Sequence, residues 1–299
     1  MSLRVAFIGC VASSAAALQT LLALGPDRAH VVGVITRRAS KFNADFHDLL
    51  PLIEQHALPV LFAEDAADDT AQAAWLRDRQ PDIVFCIGWS RLLGPELLGV
   101  APRGVVGYHP AALPANRGRH PLIWALVLGL RETASSFFFM EAAADSGALI
   151  DQQHLVIHED EDAASLYDKV LEAIKMQVER IVDQLNAGKL AVLPQDPAGA
   201  NHWRKRSAAD GRIDWRMPAK GVHQLVRALA KPYPGADFFF AGDAVKVWKC
   251  AVVANAASNL EPGKVLAVDG RHVTVKCGID AICLLEHELP TLPREGDYL

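Results

Sequence analysis

The chain has 299 residues, 51% of them hydrophobic, and a formal net charge of −5, which supplies apolar material for two packed domains and excludes a disordered or fibrous class. Residues 201–299 hold 14 Lys and Arg against 11 Asp and Glu, and residues 1–200 hold 16 against 24, so neither part has the basic bias of a nucleic-acid-binding module. No apolar run reaches the roughly 20 residues of a membrane span, and no basic stretch followed by an apolar core opens the chain, so neither a membrane segment nor a secretion signal is expected.

Val5 to Ile8 is a short apolar run closed by Gly9, and Ala15 to Leu24 then repeats at helical spacing, predicting strand, turn and helix. The turn between them holds one glycine, so the GxGxxG dinucleotide fingerprint is absent. Ser13 and Ser14 stand where they either cap the helix or, with its free first-turn amides, hold a phosphate. A strand at Val31–Ile35, the segment Lys41-Phe42-Asn43-Ala44-Asp45-Phe46, a helix up to His56 and a short strand at Val60–Phe62 continue an alternation that predicts a parallel sheet. Helix Ala71–Arg79 then leads to a strand at Ile83–Ile87 that runs out in Gly88-Trp89-Ser90. Five cysteines, Cys10, Cys86, Cys250, Cys277 and Cys283, are odd in number and lack C-x-x-C spacing, which reads as buried free thiols in the cytoplasm.

The stretch from Gly104 to Gly147 is the most informative. Val105 and Val106 form an apolar run that Pro110 ends, because proline cannot donate to a sheet ladder, and His109 is thereby placed at a strand end. A second run, Phe137–Met140, leads into an acidic turn with Asp145 before Gly147, which places a carboxylate at a strand mouth as well. In an open α/β sheet such ends bind ligands, and an imidazole supported by a carboxylate moves protons near neutral pH. The residues alone leave the plainer alternative open, that both are hydrogen-bonded turn residues. Pro121–Leu128 reads as a helix and Leu149–Ile157 as a strand; Ala163–Leu185 is an amphipathic helix that closes a first domain, residues 1–190. Gly188 to Ala200 has two prolines and little pattern and is expected as a linker. Residues 201–299 form the second domain, with a helix at Ala219–Leu229 and then short strands on tight turns that suggest a small barrel.

These motifs resemble the 10-formyltetrahydrofolate-dependent formyltransferases, the family that includes methionyl-tRNA, glycinamide-ribonucleotide and amino-sugar formyltransferases. Its signature is Asn-x-His, then Leu-Pro-x-x-Arg-Gly, then Asp-x-Gly. Here His109, the run Leu113, Pro114, Arg117 and Gly118, and the pair Asp145 and Gly147 match it, while the Asn position is Gly107. The run Asp210–Trp215 (DGRIDW), the LVRAL of the following helix and the PYPGA beyond it are similar to the family's C-terminal OB-like domain. The resemblance implies an α/β fold class: a Rossmann-like, mostly parallel N-terminal sheet domain with a smaller OB-like β-barrel domain.

It also implies 10-formyltetrahydrofolate as co-substrate, held by Ile87, Gly88, Trp89, Ser90 and Leu92 and by Glu141, Ala142 and Ala144, with His109 relaying a proton and Asp145 orienting it. Asn116, in the same loop, is expected to replace the missing oxyanion donor, with His120 or a water at Gly107 as alternatives. The local sequences FNADF at 42–46, GWS at 88–90, NRGRHPLIWAL at 116–126 and WRKR at 203–206 look like the branch acting on nucleotide-linked amino sugars. The acceptor would then be the amine of a dTDP- or UDP-linked amino sugar, used in surface polysaccharide synthesis. Ser13, Ser14, Phe42, Asn43, Arg117, Arg119 and His120 would meet it, although the arginines could equally pair within the acidic first domain. No metal is expected, since the eleven histidines have no zinc spacing, and a homodimer is left open. Two other classes share the pattern. Methionyl-tRNA formyltransferase calls for a more basic C-terminal domain, and a non-catalytic binding protein that kept the fold is favoured by Gly107.

Overall fold

The computed structural model describes residues 2–40 and 44–299. In chain order its first elements are β1 (Leu3–Ile8), α1 (Ala12–Ala23), β2 (Ala29–Thr36), α2 (Leu50–Gln55), β3 (Val60–Phe62), α3 (Asp69–Arg77) and β4 (Ile83–Cys86). They are followed by a one-turn α4 (Pro95–Leu98), β5 (Val105–His109), the two-residue β6 (Arg117–Gly118), α5 (Pro121–Val127), β7 (Glu132–Phe139), β8 (Leu149–Val156) and α6 (Ala163–Asn186). Helix α3 starts where Asp68 accepts from the Ala71 N–H at 2.9 Å, a side-chain cap on an otherwise unpaired donor. β1 and β4 are buried along nearly their whole length, which is why they read as continuous apolar runs and not as alternating ones.

Seven of these strands form one sheet in the order β3-β2-β1-β4-β5-β7-β8. The first five run parallel, and β7 and β8 are antiparallel to their neighbours. The chain steps outward from β1 to β3 and then returns to the other side of β1 with β4, so the strand order reverses between β1 and β4. The loops leaving these two strands meet at that reversal, the point where open α/β sheets bind ligands. Backbones approach closely there: a Cβ at Gly88, whose φ is +68°, would fall 2.1 Å from Val11 Cγ2.

Two compact units are present. The first takes the chain up to Pro121, then Glu132–Val156 and Asp168–Trp203. Its last segment, expected as an unpatterned linker over Gly188 to Ala200, lies against the sheet unit: Leu193 and Leu149 exchange both backbone hydrogen bonds at 2.8 Å, and β9 (His202–Trp203) pairs in parallel with β6.

The second unit takes Leu122–Arg131, Ile157–Tyr167 and Arg204–Leu299. It contains α7 (Ala219–Ala228), β10 (Ala236–Phe240), β11 (Asp243–Val253), β12 (Val265–Asp269), β13 (His272–Lys276) and β14 (Ala281–His287). The five strands make an antiparallel sheet in the order β10-β11-β14-β13-β12, and α7 turns Val222, Leu225 and Val226 inward. Cys10, Cys86, Cys250 and Cys277 are buried free thiols, and Cys283 is half-buried. Burial pushes the Cys250 thiol up to about 12 and the Cys277 thiol up to about 11, so both stay protonated and unreactive. Among the described residues, no helix is long and apolar enough to cross a membrane, and no group of three or more His, Cys, Asp or Glu could hold a metal ion.

Candidate active site

Gly107 of β5 is aligned with Cys86, the last residue of β4, so His109 projects two residues beyond the end of β4 and stands beside the strand-order reversal. His109 is buried at 5% exposure. Its Nε2 lies 2.8 Å from the Asn116 carbonyl oxygen, and a carbonyl can only accept, so the neutral ring carries its proton on Nε2 and its lone pair on Nδ1. That Nδ1 faces Asp145 Oδ2 at 3.7 Å. A proton arriving at Nδ1 therefore meets a carboxylate that stabilises the resulting imidazolium.

Asp145 reaches this position by a route that the idea of adjacent strand mouths does not describe. Because β7 runs antiparallel to β5, the ladder sets Ser136 beside His109 and Phe139 beside Val106, so the β7–β8 connection leaves from the far end of β5. Residues 140–148 fold back towards His109. The return is tight: a Cβ on Gly147 would fall 1.7 Å from the Phe139 carbonyl oxygen, which only glycine permits. Asp145 itself takes φ +55°, and its Oδ2 accepts from the Gly118 N–H at 2.9 Å.

The segment after α6 holds the site loops from outside. Gln195 Nε2 donates to the Asp145 carbonyl at 2.9 Å and to the Gly147 carbonyl at 2.7 Å, and its Oε1 accepts from Arg117 Nη2 at 2.6 Å. Asn201 Oδ1 accepts from the Asn116 N–H at 2.6 Å, and the Arg117 N–H donates to the Asn201 carbonyl at 3.1 Å. Gln195 and Asn201 carry little signal in the sequence, because both lie in a stretch without hydrophobic period. The one local signal was two amide side chains among prolines.

The other expected residues divide into several groups. Ser14 is fully buried; its hydroxyl donates to the Ile87 carbonyl at 2.6 Å and accepts from the Val11 N–H at 3.1 Å, so it ties the start of α1 to the end of β4. Ser13 is buried beside it. Arg119 Nη1 donates to the Ser90 carbonyl at 2.9 Å, joining the β6 loop to the β4 loop. Arg117 is buried with its guanidinium on Gln195, an inward position. Trp89 is half-buried against the apolar core, with the Arg37 guanidinium 4.8 Å from its ring centroid, and its Nε1 is buried without a partner among the described residues. Leu92, Glu141, Ala142 and Ala144 are exposed, and His120 is half-buried at φ +54°. Phe42 and Asn43 lie outside the described residues.

At Gly107 the space a side chain would take is filled. A Cβ there would fall 2.6 Å from Met140 Cγ and 2.9 Å from Phe138 Cζ, so apolar groups crowd the position that a side chain would start from.

Residues 3–182 match the model of the formyl transferase family, and residues 205–293 match that of the formyl transferase C-terminal domain. Among solved structures, HypX from Aquifex aeolicus is 20% identical with a TM-score of 0.67 over 96% of this chain, and this chain spans 44% of HypX. The sugar 3N-formyl transferase WlaRD, solved in the presence of dTDP and 5-N-formyl-THF, is 15% identical with a TM-score of 0.71 over 97% of this chain and 99% of its own. An N-formyltransferase from Helicobacter canadensis, in complex with folinic acid and dTDP-3-aminofucose, is 14% identical with a TM-score of 0.69 over 94% and 98%. At these identities the three structures speak for the fold. Together the two family models cover most of the sequence, and this chain belongs to the formyl transferase family.

Proposed function

We propose that this chain is a cytoplasmic enzyme that transfers the formyl group of 10-formyltetrahydrofolate to the amine of a dTDP- or UDP-linked amino sugar. The observation that carries the reading is the buried His109, with its Nδ1 lone pair turned towards the Asp145 carboxylate at the end of β5. The choice of a nucleotide sugar is supported by the two sugar-acting neighbours, which match this chain nearly end to end, whereas HypX is more than twice as long.

The residues at the strand-order reversal suit a folate. Among the described residues the buried Trp89 Nε1 has no partner, and the exposed residues 141–144 offer amides and carbonyls next to Asp145 for a polar ring. Folate supplies the formyl group. In the transfer, the acceptor amine forms a bond to the formyl carbon, the bond from that carbon to the folate nitrogen breaks, and one amine proton ends on that nitrogen. His109 takes the proton at Nδ1 and returns it, and Asp145 stabilises the imidazolium between the two events. The Asn116 carboxamide supplies the hydrogen bond that the developing oxyanion needs, in place of the residue missing at 107.

Gly107 also favours a second reading, in which the chain binds folate and nucleotide sugar without transferring between them, because Met140 and Phe138 fill the family's donor position. Incubation with 10-formyltetrahydrofolate and a panel of dTDP- and UDP-amino sugars separates the two. A formylated sugar supports transfer, binding without product supports the second reading, and tight, salt-sensitive tRNA binding with neither would overturn both.

A further inference from the structure

We propose that Gln195 is a positioning residue for this site: it pins the turn carrying Asp145 to the Arg117 loop and so sets the carboxylate opposite His109. This rests on the transfer reading for its kinetic test alone. All the polar capacity of one amide is directed at the site. Nε2 donates to the carbonyls of Asp145 and Gly147 at 2.9 and 2.7 Å, and Oε1 accepts from Arg117 Nε and Nη2 at 3.2 and 2.6 Å. The orientation is fixed by chemistry, since a flipped amide would set its oxygen against two carbonyls and its NH2 against a guanidinium.

The need for such a pin follows from the loop. Residues 141–147 lie outside the sheet ladder, between the Met140 N–H bond to the Val105 carbonyl at 2.7 Å and the Ala148 carbonyl that accepts from the Phe139 N–H at 2.9 Å, and Asp145 sits at φ +55°, a region disfavoured for a side-chain-bearing residue. Bonds from outside the loop must hold it. Gln195 is itself half-buried between exposed neighbours, Pro194 and Asp196. The same amide orders Arg117, whose own strand carries the Gly118 N–H that donates to the Asp145 carboxylate.

Two variants separate positioning from simple bracing. Gln195→Met removes every polar contact at similar length, and Gln195→Glu keeps an acceptor for Arg117 while losing both donors to the turn. Both are expected to lower kcat about 10²-fold with KM for folate and amino sugar little changed, the size of loss that follows a misplacement of about 1 Å. In an Asp145→Asn background, Gln195→Met should add less than about a further twofold loss, because the two changes disable one unit. A readout free of turnover is the 15N shift of the His109 ring nitrogens, which should move in Gln195→Met in the same sense as in Asp145→Asn. Wild-type kcat in Gln195→Glu, a full multiplicative loss in the double variant, or unmoved His109 shifts in Gln195→Met would each overturn the assignment. If the wild type forms no formylated sugar, the transfer reading fails by itself, and the ring-nitrogen shifts still decide the role of Gln195.

Discussion

Asn116 can be stripped of its side chain with little disturbance to the backbone around it, which makes it a clean test of how the oxyanion is stabilised. Its φ is +65°, where glycine is at ease and alanine would carry roughly 1–2 kcal/mol of strain. In Asn116→Gly the carbonyl that accepts from His109 Nε2 at 2.8 Å and the N–H that donates to Asn201 at 2.6 Å both remain. Only the carboxamide is lost. Removing one donor from a preorganised oxyanion site typically costs about 10²–10³ in rate, or about 2.7–4 kcal/mol of transition-state stabilisation. Steady-state kinetics with 10-formyltetrahydrofolate and the active amino sugar should therefore show kcat reduced by that factor and both KM values nearly unchanged, because the interaction strengthens mainly in the transition state. The melting temperature should stay within about 2–4 °C of wild type. An intact kcat with a raised KM would assign Asn116 to substrate binding, and unchanged kinetics would refute its role as donor.

Other positions give independent tests. Gly107→Asn places a Cβ 2.6 Å from Met140 Cγ and should cost about 1–3 kcal/mol by overpacking, with Met140→Ala recovering most of it; an unchanged melting temperature in the single variant would contradict this. Gly147→Ala collides with the Phe139 carbonyl at 1.7 Å and should cost about 3 kcal/mol in denaturant titration, so a wild-type midpoint would count against the folded-back loop. In the second unit, the Arg204 guanidinium and then the Ser207 N–H hold the Asp210 carboxyl far below its usual 3.8. Its folded pKa is depressed, so its stabilisation is present above about pH 3.8 and is lost as pH falls through the folded value. Asp210→Asn should be less stable than wild type in urea at pH 7 and approach it at pH 2, and a gap independent of pH would refute the pairing.

What the sequence made legible follows the physics of each segment. Buried parallel strands such as β1 and β4 announce themselves as unbroken apolar runs, and His109 is marked by the proline that ends β5. The first half of β7 is hidden, because Thr133, Ser135 and Ser136 look like loop residues yet are buried with their hydroxyls bonded. The Ser136 hydroxyl, for example, donates to the Ala111 carbonyl at 2.6 Å. Pairing direction is hidden too, and an antiparallel β7 changes how Asp145 must travel to His109. The clamp formed by Gln195 and Asn201 carries no periodic signal at all, since single side-chain bonds to loop carbonyls and amides leave no pattern in a sequence.

Formyl transfer by the wild type measured beside His109→Ala and Asp145→Ala tests the proposed chemistry most directly. A wild-type chain that formylates a dTDP- or UDP-amino sugar, with His109→Ala slowed by about 10² to 10⁴ and Asp145→Ala losing most of its rate, is the expected result. Full activity in His109→Ala would contradict it.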